Sequence, residues 1–349
     1  MAEERPSSLA RLKEDWYIAC ASQDLRGKPR SFQLFGAPIV LFRGANGRPG
    51  GLLDRCAHRN APLSLGRVRG EQIECRYHGW QFDRQGACRA IPGLIAPAEK
   101  PCRSVPSFSC REEDGFVWVY ATPDVDPVRE PFRFPYLKEA RYVTVRQSLS
   151  LPGTIHAVAE NALDVPHTAF LHRGLFRGNR APCEIEVAVR RGHDRVEAEY
   201  IGEPRPAGLI GRLLAPAGGV VTHFDRFFLP GIAQVEYRLG EKSHLCSSSA
   251  LTPVAAFETN VFSVISFRLP VPGWPLVPLF RAVALRILKQ DAWILRHQTE
   301  VLRRFRGEHY ASTEVDVLGP HILRLLQAGE AGESTPLQEP WTRKFRMRV

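Results

Sequence analysis

Two short stretches of this chain, Cys56-Ala57-His58 and Cys75-Arg76-Tyr77-His78, each set one cysteine beside one histidine, with sixteen residues between the pairs. Thiolate and imidazole are soft metal ligands, so a chain carrying them at this spacing must fold so that two loops converge on one centre. Tetrahedral zinc is the first claimant, but zinc fingers group the cysteines first and the histidines second. Here each loop supplies one of each, as a centre of two irons requires when cysteines hold one iron and histidines the other.

The rest of the composition is that of an ordinary globular protein. The chain has 349 residues, 44% of them hydrophobic and 24% charged, enough for a large core and for two domains. The opening residues carry acids and no apolar run, so they do not read as a secretory signal, and a cytoplasmic location is expected. The longest apolar stretch, Leu276 to Leu288, is interrupted by Arg281 and Arg286, so no transmembrane segment is expected. Eight cysteines in such a chain suit metal ligation or core packing better than a disulfide framework. The net charge of +10 comes from arginines spread along the chain with no nucleic-acid-binding spacing. No nucleic-acid partner is therefore expected, and the basic tail TRKFRMRV reads as a solvated terminus.

A run of prolines and charges, TPDVDPVREPFRFP, divides the chain into 1–125 and 126–349. Before it lie short β-type runs bounded by Gly, Pro and Asp. After it come antiparallel strand patterns, a helix over TIHAVAENAL, a hairpin turning near Gly192 and a long helical pattern from Leu279 to Arg306. The fold class is α+β. The helix over TIHAVAENAL leads into ENALDVPHTAFLH, which holds Asp164, His167 and His172. Two histidines and a carboxylate on one face of a non-haem iron leave positions open for O₂. The two histidines are five apart, which no straight helix places on one face, so the helix must break. Pro166 supplies the break if Val165 is pushed out of the helical region.

The first motif resembles the Rieske signature, and Arg59, Asn60 and Ala61 after His58, with Tyr77 before His78, resemble its oxygenase branch. Asp164, His167 and His172 match the Asp-x-x-His-x-x-x-x-His motif of Rieske non-haem iron oxygenases, so the resemblance covers both halves of the chain in the family's order. It implies an N-terminal all-β Rieske [2Fe–2S] domain with Cys56, His58, Cys75 and His78 as cluster ligands. A helix-grip domain follows, an antiparallel sheet plus a long C-terminal helix, with mononuclear Fe(II) on His167, His172 and a downstream carboxylate. Asp291 is the acid on that long helix, heading a stripe of Ile294, Leu295 and Gln298.

The resemblance further implies a homotrimer in which Asp164 bridges His78 of one copy and His167 of another. Electrons would come from NAD(P)H through a separate ferredoxin or flavin reductase, since the chain has no Gly-rich nucleotide fingerprint. The expected reaction is hydroxylation, dealkylation or desaturation of an apolar substrate of aromatic, terpenoid or sterol-like type. The alternative is a non-catalytic electron-transfer or redox-sensing protein. The apolar segment from Pro206 to Pro230 is the expected pocket wall. Trp80 is expected to pack over the cluster, whereas Cys88, Cys102, Cys110, His156, His223 and His244 read as core or surface residues.

Overall fold

The computed structural model describes residues 8–173, 175, 183–204, 221–240, 242–332 and 341–348. The chain forms two compact units. One is Leu12–Arg133, and the other runs from Phe134 onward and includes the N-terminal stretch up to Arg11. The division thus falls a few residues beyond 125, because the proline-rich run stays tied to the first unit. Trp16 Nε1 donates to the carbonyl of Arg129 at 2.7 Å, Arg129 reaches Asp15 at 3.3 Å, and Arg111 pairs with Glu130.

The first unit is all β. Its strands are β1 (Trp16–Ala21), β2 (Arg30–Leu34), β3 (Ala37–Arg43), β4 (Pro49–Leu53), β5 (Arg67–Arg69) and β6 (Gln72–Glu74). They continue as β7 (Gln81–Phe82), β8 (Cys88–Ala90), β9 (Ser107–Phe108), β10 (Cys110–Glu113) and β11 (Phe116–Tyr120). Three small antiparallel sheets result, ordered β1-β11-β10, β2-β3-β4-β9 and β5-β6-β7-β8. The FVWVY sequence of β11, aromatic and β-branched throughout, is buried along its whole length between β1 and β10.

The second unit is built on one eight-stranded antiparallel sheet. Its strands are β12 (Val143–Leu151), β13 (Glu184–Arg191), β14 (Arg195–Ile201), β15 (Val221–Phe228), β16 (Ile232–Leu239), β17 (Ser243–Ala255), β18 (Glu258–Arg268) and β19 (Trp341–Arg348). Their spatial order is β12-β18-β17-β16-β15-β14-β13-β19. The expected hairpin at Gly192 is β13–β14, joined by the Gly192 N–H to Arg195 carbonyl bond of 2.8 Å. The basic tail departs from expectation. Rather than ending in solvent, it pairs residue by residue with β13, with Met347 buried and Lys344 and Arg346 each 3.1 Å from Glu186 and Glu184. Those exposed ion pairs contribute little, so the backbone ladder and Met347 hold the strand.

Three α-helices complete the described part: α1 (Ile155–Leu163), α2 (Val277–Phe305) and α3 (Gly319–Ala331). None is long and apolar enough to cross a membrane. Phe280 of α2 stacks on Phe267 of β18 at 4.1 Å, next to Val145, Val221 and Leu239, which identifies the face of the sheet covered by helices. On the same face α1 comes so close that a Cβ at Gly231 would stand 2.8 Å from Ile155 Cδ1. Toward the middle of this face Val235, Ser247, Ser249 and Ile265 are only half buried. The Pro206–Pro230 segment is divided: 206–220 lies outside the described residues, and Val221–Phe228 is an inner strand of the sheet.

Helix α1 matters because the iron motif hangs from its end. Thr154 caps it, its hydroxyl accepting the Ala157 N–H at 3.2 Å while receiving a buried hydrogen bond from Ser8 Oγ at 2.9 Å. Thr154→Ala should therefore cost about 1–2 kcal/mol, from the lost cap and from a Ser8 hydroxyl deprived of one partner. Urea unfolding followed by far-UV dichroism measures it, and an unchanged midpoint would show that the cap contributes nothing.

Candidate metal centres

The two cysteine–histidine loops share one backbone design. Cys56 N–H donates to the carbonyl five residues on, at Ala61 (2.8 Å), and its carbonyl accepts from Asn60 N–H (3.0 Å). Cys75 repeats both bonds with Trp80 (2.8 Å) and Gly79 (3.0 Å). The fourth residue after each cysteine is left-handed, Asn60 at φ 61° and Gly79 at φ 70°, which are residue types that tolerate that region. Both cysteines are thereby turned inward, at 1% and 2% exposure, among Phe42, Leu63, Ile73, Phe82 and Cys88. Both histidines stay at the rim, with ring centroids 4.6 Å apart and Tyr77 exposed beside His78. The Trp80 indole lies flat on His58 at 4.7 Å, as expected for an aromatic over this site.

The chemistry of this donor set fits a cluster. Burial, then the adjacent Cys75, push the Cys56 thiol up to about 11, a cost that ligation to a cation removes. Desolvation, then the charges of His78 and Arg59, lower the His58 pKa, which favours the neutral ring a ligand must be. The Nδ1 atom of His58 is buried without a hydrogen-bond partner among the described residues.

The second centre forms where α1 ends. Asp164 is extended (φ −88°, ψ 110°), whereas Val165 keeps helical angles (φ −69°, ψ −44°), so the break lies one residue earlier than expected. Pro166 then opens a short 3₁₀ turn, Pro166–Ala169, tied back by the His167 N–H to Asp164 Oδ2 bond of 3.2 Å. The reason is local: a carboxylate that binds a backbone N–H three residues on stabilises a non-helical residue at its own position. The turn brings His167 and His172 together, and α2 adds Asp291, so that one ligand atom of each lies within 4.8 Å of the others.

Both imidazoles are pinned through Nδ1, His167 against the Asp164 carbonyl at 2.5 Å and His172 against Gln290 Oε1 at 2.9 Å. Their Nε2 atoms consequently face each other at 3.2 Å, with Asp291 Oδ1 at 3.1 Å from His172 and 3.8 Å from His167. Asp291 Oδ1 is buried without a well-aligned hydrogen bond. Three inward lone pairs repel one another unless a cation lies between them, so two histidines and a carboxylate here fit a divalent metal. The stripe expected around Asp291 needs correction. Ile294 and Gln298 are exposed in the chain, and the buried positions are Asp291, Leu295 and Thr299, an i, i+4, i+8 line facing Gly153 and Pro152.

The remaining candidates fall into other surroundings. His156 contacts the Gly319 carbonyl at 2.9 Å, Cys88 is buried, Cys110 half-buried and Cys102 exposed. His244 sits between Tyr142 (2.6 Å) and Glu236 (2.9 Å). Burial opposes ionisation of Glu236, but bonds from His244, Arg226 and Arg238 together outweigh it and hold the carboxyl at about 2. His223, on the covered face of β15, has Glu203 at 2.6 Å on Nδ1 and Asp225 at 3.0 Å on Nε2, between the stacked rings of Tyr200 and Tyr237. The i, i+2 spacing of His223 and Asp225 could have revealed half of this group, since alternate strand residues share a face. Gln290 carried no signal beyond its place beside Asp291.

Comparison with known proteins matches both regions of the chain. A Rieske [2Fe-2S] domain model matches residues 15–108, and a vanillate O-demethylase oxygenase C-terminal domain model matches residues 153–331. Aminopyrrolnitrin oxygenase PrnD of Pseudomonas fluorescens is 31% identical over 293 residues, 76% of this chain and 79% of that protein. Chlorophyllide a oxygenase of Chlamydomonas reinhardtii is 36% identical over 184 residues, but the chain spans 28% of its length, as it spans 30% of the enzyme from Oryza sativa. The crystal structure of dicamba monooxygenase bound to dicamba covers 93% of this chain and 99% of its own, with a TM-score of 0.78 at 22% identity, a likeness of fold.

The His223 group makes a pH prediction. Burial opposes its charge, but Asp225 and Glu203 prevail and raise its pKa from 6.5 to about 9. A raised folded-state pKa contributes stability that is complete below the unfolded value and vanishes as pH climbs through the folded one. Between pH 6.5 and pH 9 the protein should thus lose on the order of 1–3 kcal/mol that His223→Gln does not lose. Urea midpoints across that range decide the matter, and equal pH slopes for the two proteins would rule it out.

Proposed function

Since the chain belongs to the vanillate O-demethylase oxygenase family, with a Rieske domain ahead of its catalytic domain, we propose that it oxidises a small, largely apolar organic substrate with O₂, by hydroxylation, dealkylation or desaturation. The observation that carries this reading is the convergence of His167, His172 and Asp291 within 4.8 Å. In it Cys56, His58, Cys75 and His78 hold the cluster, and those three residues hold the iron. When bound, the cluster passes on electrons that a separate reductase draws from NAD(P)H, and iron with open positions activates O₂. The O-demethylase description of the matched domain favours dealkylation among the three outcomes.

In this reading electrons pass between copies of the chain. A cavity of about 390 Å³ beside the iron motif is lined by Glu160, Asn161, Asp164, Ile294, Gln298 and Asp316, three of them acids. The rim of the Rieske unit offers the complement: exposed Arg59, Arg76 and Tyr77 around His78. This opposition of charge supports a ring of copies, a homotrimer, in which the rim of one seats in the acidic cavity of the next. Asp164 then stands between His78 of one copy and His167 of its own. A carboxylate suits that position because one oxygen accepts the His167 backbone N–H while the other is left to accept an imidazole N–H from His78 and fix the tautomer of that ring.

Two measurements test the assignment. Metal analysis should find about three irons per chain in the native protein and about two in His167→Ala, which keeps its Rieske absorption, whereas Cys75→Ser loses that absorption. Zinc in place of iron, or loss of both centres in His167→Ala, would overturn the ligand sets. Asp164→Asn should keep both centres and its oligomeric state yet reoxidise its pre-reduced cluster at least tenfold more slowly with substrate and O₂. A wild-type rate in that single turnover would remove Asp164 from the path.

A further inference from the structure

The two histidines of the iron site are oriented by different kinds of group. His167 Nδ1 leans on the backbone carbonyl of Asp164, which no substitution removes. His172 Nδ1 leans on a side chain, Gln290 Oε1 at 2.9 Å, and Gln290 is the immediate neighbour of Asp291 on α2. We propose that Gln290 is a positioning residue for the metal site: its amide oxygen holds the proton of His172 on Nδ1, so that the Nε2 lone pair stays directed at the position shared with His167 and Asp291.

Tautomer chemistry carries the argument. A neutral imidazole has one N–H and one lone pair, and whichever nitrogen donates leaves the other free to ligate. His172 is 1% exposed, so water does not reach it to choose the tautomer. With Oε1 accepting at Nδ1, a proton on Nε2 would leave Gln290 without its donor and point an N–H at the metal position. Asp291, 3.1 Å away, favours the opposite outcome, because its carboxylate attracts a proton onto Nε2. Gln290 opposes that pull, and one turn of α2 thus supplies both a ligand and the group that keeps another ligand available. Gln290 is half-buried, on the side of α2 that also bears Arg286, Lys289 and Trp293, so replacing it empties no core site.

The inference rests on His167, His172 and Asp291 being the iron ligands, and the experiment separates the two claims. Fe(II) is removed by chelation and titrated back into wild type, Gln290→Leu, Gln290→Met and Gln290→Glu, each with its Rieske absorption intact. The mononuclear site is read by the EPR signal of its nitric oxide adduct. Leucine and methionine keep the volume without an acceptor and should bind Fe(II) some 10- to 100-fold more weakly, with an altered nitrosyl signal. Glutamate keeps an acceptor oxygen and should restore affinity to within a few-fold of wild type. Wild-type affinity and signal in either leucine or methionine variant would overturn the role of Gln290. Absence of a mononuclear signal in wild type would overturn the ligand assignment beneath it.

Discussion

Three lone pairs directed at one buried point are the constraint around which the catalytic unit is organised. His167 and His172 come from a broken helix end, and Asp291 comes from a helix more than a hundred residues later, yet their ligand atoms lie within 4.8 Å. Such a meeting is repulsive without a cation, so the fold must hold it open by force of packing elsewhere. The aromatic stack of Phe280 on Phe267 anchors α2, and the close approach of α1 at Gly231 anchors the other side. Each histidine is fixed again at its outer nitrogen. The stability of the sheet and the geometry of the site are therefore coupled through two helices.

The cluster unit solves the same problem with loops. Two turns with identical hydrogen bonding present cysteines to the interior and histidines to the rim. The difference between Asn60 and Gly79 at the left-handed position conceals that equivalence in the sequence. His58 lies two residues after its cysteine and His78 three, so the loops agree in backbone but not in which position bears the ring.

The chemistry was more legible than the geometry. Ligand spacing, helix-breaking proline and alternating strands pointed to the two centres, to an α+β catalytic unit and to the long helix, because these depend on residue type at short separation. The exact break at Asp164 was not legible, since it turns on a side-chain bond to the His167 N–H that competes with the rule about residues preceding proline. Asp291 and Leu295 are buried as an apolar stripe requires, but Ile294 and Gln298 are exposed, because packing against Pro152 and Gly153 selects the line of Asp291, Leu295 and Thr299. The His223 and His244 networks are not legible in the sequence because Glu203, Tyr142 and Glu236 reach them from other strands or loops, at separations that no local pattern records.

The pairing of β19 with β13 sets an order of events during synthesis. Residues 184–191 leave the ribosome some 150 residues before their partners at 341–348, so β13 waits with one side of its backbone unpaired. Its Ile185, Val187 and Val189 are buried in the finished sheet. An open edge carrying such side chains is a template for pairing with another nascent chain. Glu184 and Glu186 put charge on the waiting edge, and charge on an edge strand blunts such pairing until Lys344 and Arg346 arrive beside them.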